Sequence, residues 1–168
     1  MSNKGKVISL CGKIASGKTY YANQLKDKEN AIILSVDELT FYLFDNRNGE
    51  NYVDLTQRAI TYFMFKSVEV AEKGLNVILD IGLWQSEARK DLKEFYVSKG
   101  IECEIHYIHI DNESWEKNIE KRNKRIEAGD KGTDFYVTDA MKAKVLSLWE
   151  EPTKDEVDVW YNFPNYEE

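Results

Sequence analysis

VISLCGKIASGKT, residues 7–19, is an apolar run followed at once by a glycine-rich loop. The loop matches the pattern GxxxxGK followed by Ser or Thr, with Gly12, Gly17, Lys18 and Thr19 at the fixed positions. The order of strand, glycine loop and helix predicts a P-loop, in which backbone N–H groups and the positive end of the helix point at phosphate groups. A chance match in a chain of this length has a probability of about 1% or less.

The P-loop predicts a division of roles among its residues. We expect Lys18 to reach the β- and γ-phosphates of a nucleotide, and the Thr19 hydroxyl to ligate Mg²⁺. ATP is the expected nucleotide, because nothing in the sequence matches NKxD, the element with which GTPases read guanine. The predicted cofactor-binding residues of the loop are Gly12, Lys13, Ile14, Ala15, Ser16, Gly17, Lys18 and Thr19.

The rest of the chain alternates short apolar runs with amphipathic helical stretches, which is typical of an α/β fold with a parallel sheet. All 168 residues, 1–168, are expected to form one domain, because no Gly/Ser-rich linker interrupts them. The predicted strands are 7–11, 31–35, 77–80, 104–110 and 157–161, and the predicted helices are 17–28, 37–44, 55–73, 86–99, 113–128 and 138–150.

Two aspartates follow predicted strands. Asp37 comes after the second strand and Asp80 ends the third, so both should stand at the same sheet edge as the P-loop. We expect Asp80 to help hold Mg²⁺, and Asp37 to act as a general base that accepts the proton of an attacking hydroxyl. The alternatives are that Asp37 caps the helix after it and that Asp80 caps the following segment.

The predicted fifth helix carries two arginines, Arg122 and Arg125, and is followed by a segment that we expect to move. Arg122 lies on the apolar stripe of this helix, and Arg125, three residues on, shares much of that face. The glycine-containing, charged stretch that follows predicts a lid, residues 122–138, whose arginines would compensate charge on the transferring phosphoryl group. The alternative is a surface pattern of salt bridges with Glu113, Glu116 and Glu127.

Charge and composition limit the classes of partner. The net charge is −7, and the basic residues concentrate between residues 117 and 131, which argues against a nucleic-acid substrate. The sequence shows no signal peptide and no apolar stretch near the roughly 20 residues that span a bilayer, so a cytoplasmic protein without membrane contact is expected. His106 and His109 should face opposite sides of one strand and therefore not share a metal.

The order of these motifs resembles a known group. A P-loop, SVDE after strand two, NVILD at strand three and RNKR before a lid resemble the small P-loop kinases grouped with zeta toxin, chloramphenicol phosphotransferase and bacteriophage polynucleotide kinase. The resemblance implies a three-layer P-loop NTPase fold with a five-stranded parallel sheet in the order 2-3-1-4-5. It also implies Mg-ATP as donor, a hydroxyl acceptor, a base at Asp37 and phosphate contacts from Arg122 and Arg125.

The same resemblance extends to the two ligand pockets. It implies that adenine lies between the lid-helix arginine, Arg122, and the loop ending in Pro164. Arg89 matches an arginine that often follows the third strand in such kinases. The chain lacks the arginine that nucleotide-acting members carry soon after the strand-two aspartate, which favours a neutral or cationic acceptor. The residues predicted to contact this acceptor are Asp37, Phe41, Tyr42, Tyr52, Trp84 and Arg89. For the aromatic residues among them, the alternative is ordinary core packing.

We therefore expect a transferase: a kinase that moves the γ-phosphate of ATP, bound with Mg²⁺, to a hydroxyl of a small molecule. The residues expected to carry catalysis are Asp37, Lys18, Arg122 and Arg125. One alternative is a kinase of a polynucleotide 5′-hydroxyl or a nucleotide-sugar. Another is a regulatory module that binds ATP without transferring phosphate. The sequence identifies neither the acceptor nor the oligomeric state.

Overall fold

A parallel β-sheet forms the centre of the computed structural model, which describes residues 3–44, 52–130 and 132–163. All strand pairs in this sheet are parallel, and the order β2-β3-β1-β4-β5 is the predicted one. The strands are β1 (Val7–Cys11), β2 (Ala31–Ser35), β3 (Asn76–Gly82), β4 (Cys103–His109) and β5 (Val159–Asn162).

Helices connect the strands and begin and end near the predicted residues. They are α1 (Lys18–Lys28), α2 (Val36–Phe44), α3 (Tyr52–Glu72), α4 (Ser86–Lys99), α5 (Asn112–Glu127) and α6 (Asp139–Leu148). The side chain of Asp111 accepts a hydrogen bond from the Ser114 amide and so caps α5, and Gly100 ends α4 with a φ of 63°. Within the described ranges, no helix has the length and apolar character needed to cross a membrane.

Two strand boundaries differ from the predicted ones by two residues, and each has a local reason. β3 continues past Asp80 to Gly82, because a register shift pairs Leu10 with Asp80 and Cys11 with Gly82. The bulge leaves Ile81 between these two pairs and gives the strand its extra residues. β5 starts two residues later than predicted, since the Asp158 carboxylate accepts the Ile105 amide hydrogen bond at 2.7 Å.

The central strand β1 is buried on both faces. Ile8 and Leu10 pack beneath α1, whereas Val7 and Cys11 pack on the other side in a cluster that includes Phe63 and other residues of α3 and α4. Apolar burial on both faces fixes the strand, and with it the start of the P-loop.

The two histidines of β4 make separate contacts, as the spacing predicts. His106 is buried, and its ring nitrogens lie 2.8 Å from the Tyr21 hydroxyl and 2.8 Å from Glu104. His109 lies 3.1 Å from the Tyr107 hydroxyl and 3.4 Å from Glu151. Both histidines are therefore held by protein contacts on different faces of β4.

A buried ion pair ties α4 to the segment before β5. Arg89 has 1% of its surface exposed, donates from Nη1 to the Leu83 carbonyl at 3.0 Å, and reaches Glu156 with Nε at 3.1 Å. Partial burial alone would raise the pKa of Glu156, but hydrogen bonds from Ser86, the Thr153 amide and Arg89 outweigh it and lower the pKa to about 2. Glu156 is thus the partner that keeps Arg89 inside the fold.

We predict that Arg89→Ala lowers the free energy of unfolding by about 3 kcal/mol, because it removes one partner of a buried charged pair and leaves the Leu83 carbonyl without its donor. Urea denaturation followed by circular dichroism measures the change. The matched control is Lys90→Ala, whose pair with Glu94 is exposed and should contribute less than about 1 kcal/mol. Equal effects of the two substitutions would contradict a structural role for Arg89.

Candidate active site

The P-loop follows β1, and its two fixed glycines are required for different reasons. A Cβ atom on Gly12 would lie 2.6 Å from the Ser16 Oγ and 3.2 Å from the Ile108 carbonyl oxygen. Gly17 has a φ of 95°, and a Cβ there would lie 1.8 Å from the ring of Phe163. The loop therefore folds as the motif predicts, with Gly17 immediately before the first residue of α1.

Lys18 is the first residue of α1, and its ammonium group turns back over the loop. Its Nζ donates to the carbonyls of Gly12 at 3.1 Å and Lys13 at 2.8 Å. Burial lowers the pKa of Lys18, while the carboxylates of Asp80 and Asp37 oppose that change. The loop thus holds a cation beside the N-terminus of α1, where an anionic group gains most.

Thr19 and Asp80 form the pair that suits a metal ion. The Thr19 Oγ1 donates to Asp80 Oδ2 at 3.3 Å, and Asp80 is buried within β3 instead of capping the following segment. A hydroxyl and a carboxylate are ligands that Mg²⁺ accepts, and P-loop proteins combine them with phosphate oxygens and water. Among the described residues, no three His, Cys, Asp or Glu side chains cluster to hold a metal without such additional ligands.

Asp37 lies in the first turn of α2 and lines the same cavity. The alternative that it caps α2 is wrong, because the Ser35 Oγ accepts the Glu38 amide hydrogen bond at 3.3 Å and α2 begins before Asp37. The protein atoms around the cavity raise the pKa of Asp37, and the Asp80 carboxylate raises it further. Lys18 and Arg122 act in the opposite direction and favour the ionised form.

The two arginines of α5 contact one carboxylate, that of Asp134, in the stretch that follows the helix. Arg122 Nη2 lies 3.2 Å from Asp134 Oδ1, and Arg125 contacts the other oxygen of Asp134. Arg125 also pairs with Asp130 at 2.8 Å, and the Arg122 guanidinium lies over the ring of Phe135 at 5.9 Å.

The alternative, in which these arginines pair with glutamates along the surface of α5, is wrong for Glu113 and Glu116. Glu113 pairs with Lys117 at 2.6 Å, and Glu116 pairs with Lys142 of α6 at 2.6 Å. Arg122 keeps 18% of its side chain exposed, as expected for a residue on the inner stripe of α5.

One cavity of about 900 Å³ joins most of the predicted site. Its volume is in the upper range of small-molecule sites, which suits two ligands side by side. The predicted residues that line it are Ile14, Ala15, Ser16, Gly17, Lys18, Thr19, Asp37, Asp80, Arg122 and Arg125. Gly12 and Lys13 contribute the carbonyls that hold Lys18.

Most of the predicted acceptor contacts do not line this cavity. Phe41, Tyr42 and Trp84 are not among the residues that line the cavity. Tyr42 has 73% of its surface exposed and packs edge-on against Phe41, and Trp84 packs in the cluster around Trp115. The core-packing alternative therefore holds for Trp84.

Four further predicted ligands do not line the cavity or lie outside the described residues. Arg89 is buried against Glu156, so the prediction that it binds substrate is wrong. Lys13 is not among the residues that line the cavity, and its Nζ lies 4.6 Å from the Trp115 ring centroid and 3.4 Å from Asn112 Oδ1. Pro164 and the side chain of Tyr52 lie outside the described residues.

The cavity also contains residues that sequence reasoning missed. Asn118 of α5 donates to the Ala15 carbonyl at 3.1 Å and so braces the P-loop. Phe163 lies over Gly17 and lines the cavity, as does Asp134. Asn118 lies one turn before Arg122 on the same helix, and that spacing is a signal that could have identified it.

The fold and this loop-and-carboxylate arrangement define a nucleotide-binding protein of the P-loop class. A family model described as AAA domain matches residues 7–148, and the chain belongs to this family. A search of curated proteins gave no significant match.

Solved structures with the same fold include two small kinases and one subunit of an RNA repair complex. The APS kinase of Mycobacterium tuberculosis, in complex with AMPPNP and APS, is 18% identical, with a TM-score of 0.66 over 96% of this chain and 90% of that one. A gluconokinase of Sinorhizobium meliloti is 12% identical, with a TM-score of 0.64 over 98% and 86%.

The third similar structure is the Pnkp1/Rnl/Hen1 RNA repair complex. Its matching chain is 17% identical, with a TM-score of 0.67, and the alignment covers 88% of this chain but 45% of that one. At these levels of identity the similarity establishes the fold.

We predict that Thr19→Val weakens binding of ATP in the presence of Mg²⁺ by about tenfold, because it removes a hydroxyl ligand while keeping the side-chain shape. Calorimetric titration with ATP, with Mg²⁺ and with EDTA, measures the effect, which should be small in EDTA. Tyr20→Phe, which removes the neighbouring hydroxyl, is the matched control. A loss of affinity of the same size in EDTA would contradict a metal-ligating Thr19.

Proposed function

We propose that this protein is an ATP-dependent kinase that transfers the γ-phosphate to a hydroxyl of a small molecule. The observation that carries the proposal is that Asp37, Lys18 and the Thr19–Asp80 pair share one cavity. A base, a phosphate-binding cation and a metal-binding pair are the three parts that phosphoryl transfer to an alcohol requires.

Each part has a role that its position supports. Lys18 would exchange its two carbonyl acceptors for phosphate oxygens, and the loop amides would bind the same phosphates. Mg²⁺, when bound by Thr19 and Asp80, would supply charge neutralisation at the phosphates. Asp37 would orient the acceptor hydroxyl and take its proton, because burial and the Asp80 carboxylate raise its pKa and so make its carboxylate a stronger base.

The lid, residues 122–138, would complete the site from the other side. Arg122 and Arg125 line the cavity opposite the P-loop and would compensate the charge of the transferring group. The Phe163 ring, which lies over Gly17, would offer a flat apolar surface to the adenine base in place of Pro164, which lies outside the described residues.

A small acceptor is favoured over a polymer by the balance of charge. The chain carries a net charge of −7, which repels a polyanion unless a local basic surface compensates it. Part of the cavity beyond the nucleotide phosphates would be bounded by Ser35, Asp37 and Glu38, and these residues can bind the hydroxyl groups of a neutral acceptor.

The proposed activity is tested by incubating the protein with Mg²⁺ and γ-labelled ATP against a panel of acceptors. The panel contains sugars, amino alcohols and nucleosides, with a 5′-hydroxyl oligonucleotide as the polymer arm. Labelled product with a small alcohol supports the proposal, and labelled oligonucleotide alone would assign the polymer alternative. Tight ATP binding with no labelled product from any acceptor would support the regulatory alternative.

We predict that Asp37→Asn lowers the transfer rate at least about 100-fold and leaves the dissociation constant of ATP nearly unchanged, because Asn keeps the shape but accepts no proton. Glu69→Gln, which changes an exposed carboxylate of α3 that pairs with Lys66 outside the cavity, should retain most of the rate. The acid limb of the wild-type kcat/KM profile should report a pKa above the usual value of an aspartate, as the cavity and Asp80 raise it. Unchanged turnover in Asp37→Asn would remove the base from Asp37.

A further inference from the structure

The carboxylate of Asp134 contacts Arg122 and Arg125 at a place that a phosphate group could occupy. Its two carboxylate oxygens contact different arginines, Arg122 at 3.2 Å and Arg125 through Nη2. All three side chains line the cavity that contains the P-loop. A planar anion that bridges two guanidinium groups has the charge and hydrogen-bond geometry of a bound phosphate oxygen pair.

Asp130 and Val137, which lie on either side of Asp134 in the sequence, are each attached to α5 by other contacts. The Asn123 side chain binds the backbone N–H and the carbonyl of Val137, each at 2.8 Å. The Asp130 amide donates to the Arg125 carbonyl at 3.2 Å. Asp134 lies between these anchors, so its ion pairs can break while both anchors stay in place.

We propose that Asp134 is an internal competitor for phosphate: its carboxylate occupies the arginine pair in the nucleotide-free protein and must be displaced before Arg122 and Arg125 can bind the phosphates of ATP. The proposal rests on the proposed function for the identity of the nucleotide. The exchange replaces a carboxylate of charge −1 by a more negative polyphosphate. ATP therefore displaces Asp134 from the two arginines when it binds.

The position of Asp134 also couples the lid to the proposed base. Asp37 and Asp134 line the same cavity. Burial raises the pKa of Asp37 most, the Asp80 carboxylate raises it further, and the charge of Asp134 adds in the same direction. Displacement of Asp134 by ATP would therefore exchange one carboxylate charge near Asp37 for the charge of the bound phosphates. The competitor affects the base as well as the arginines.

Asp134→Asn tests the proposal, because it keeps the shape of a side chain that is 32% exposed and removes its charge. We expect the variant to bind ATP and inorganic tripolyphosphate about three- to tenfold more tightly than the wild-type chain, since two partly exposed ion pairs no longer have to break. Calorimetric titration with each anion in Mg²⁺ measures the dissociation constants, and thermal melting confirms that the variant is folded.

Asp130→Asn is the matched control. Asp130 pairs with Arg125 but is not among the residues that line the cavity, so its loss should change either dissociation constant by less than about twofold. Equal tightening in both variants, or unchanged or weaker binding in Asp134→Asn, would overturn the proposal. If tripolyphosphate binds more tightly to the variant while ATP binds to neither chain, the competitor stands and the proposed function fails.

Discussion

The Lys18 ammonium, hydrogen-bonded to the carbonyls of Gly12 and Lys13, is the interaction on which the site depends. Burial of this cation is unfavourable alone, and the carboxylates of Asp37 and Asp80 offset part of that cost. The sheet order makes this possible, because β3 lies directly beside β1 and β2 lies beside β3. The carboxyl ends of these strands therefore deliver both carboxylates to the edge where the P-loop begins.

The sequence predicted the sheet, its order and the donor side of the site because these depend on local patterns. Apolar runs bounded by glycine and polar residues set the strands, and the loop motif places Lys18 and Thr19 without reference to distant contacts. Asp80 was identified by its place on a buried strand, and Arg122 by its place on the apolar stripe of a helix. Each of these side chains has a direction that is fixed by its own element.

The residues around the acceptor were hard to predict from the sequence, because their positions depend on how the helices and strands pack. Nothing local distinguishes Arg89, which reaches into the fold to meet Glu156, from an arginine that faces a ligand. Aromatic residues of α2 could face the cavity or the solvent, and the helix places Tyr42 in solvent. The sequence did not identify Asp134 as a site residue, because its role depends on its contacts with Arg122 and Arg125 of α5. A single aspartate in a charged loop carries no sequence signal for such contacts.

We expect residues 12–19 to form a phosphate-binding loop: when a nucleotide binds, the Lys18 ammonium and the backbone amides exchange their protein contacts for contacts with its phosphates. Amide chemical shifts of the ¹⁵N-labelled chain, recorded while a non-hydrolysable ATP analogue and Mg²⁺ are added, test this claim most directly. The account predicts saturable shifts that are largest in residues 13–19 and extend to the lid through Arg122. Shifts confined to other surfaces, such as the outer face of α3, or no saturable change in the loop, would contradict it.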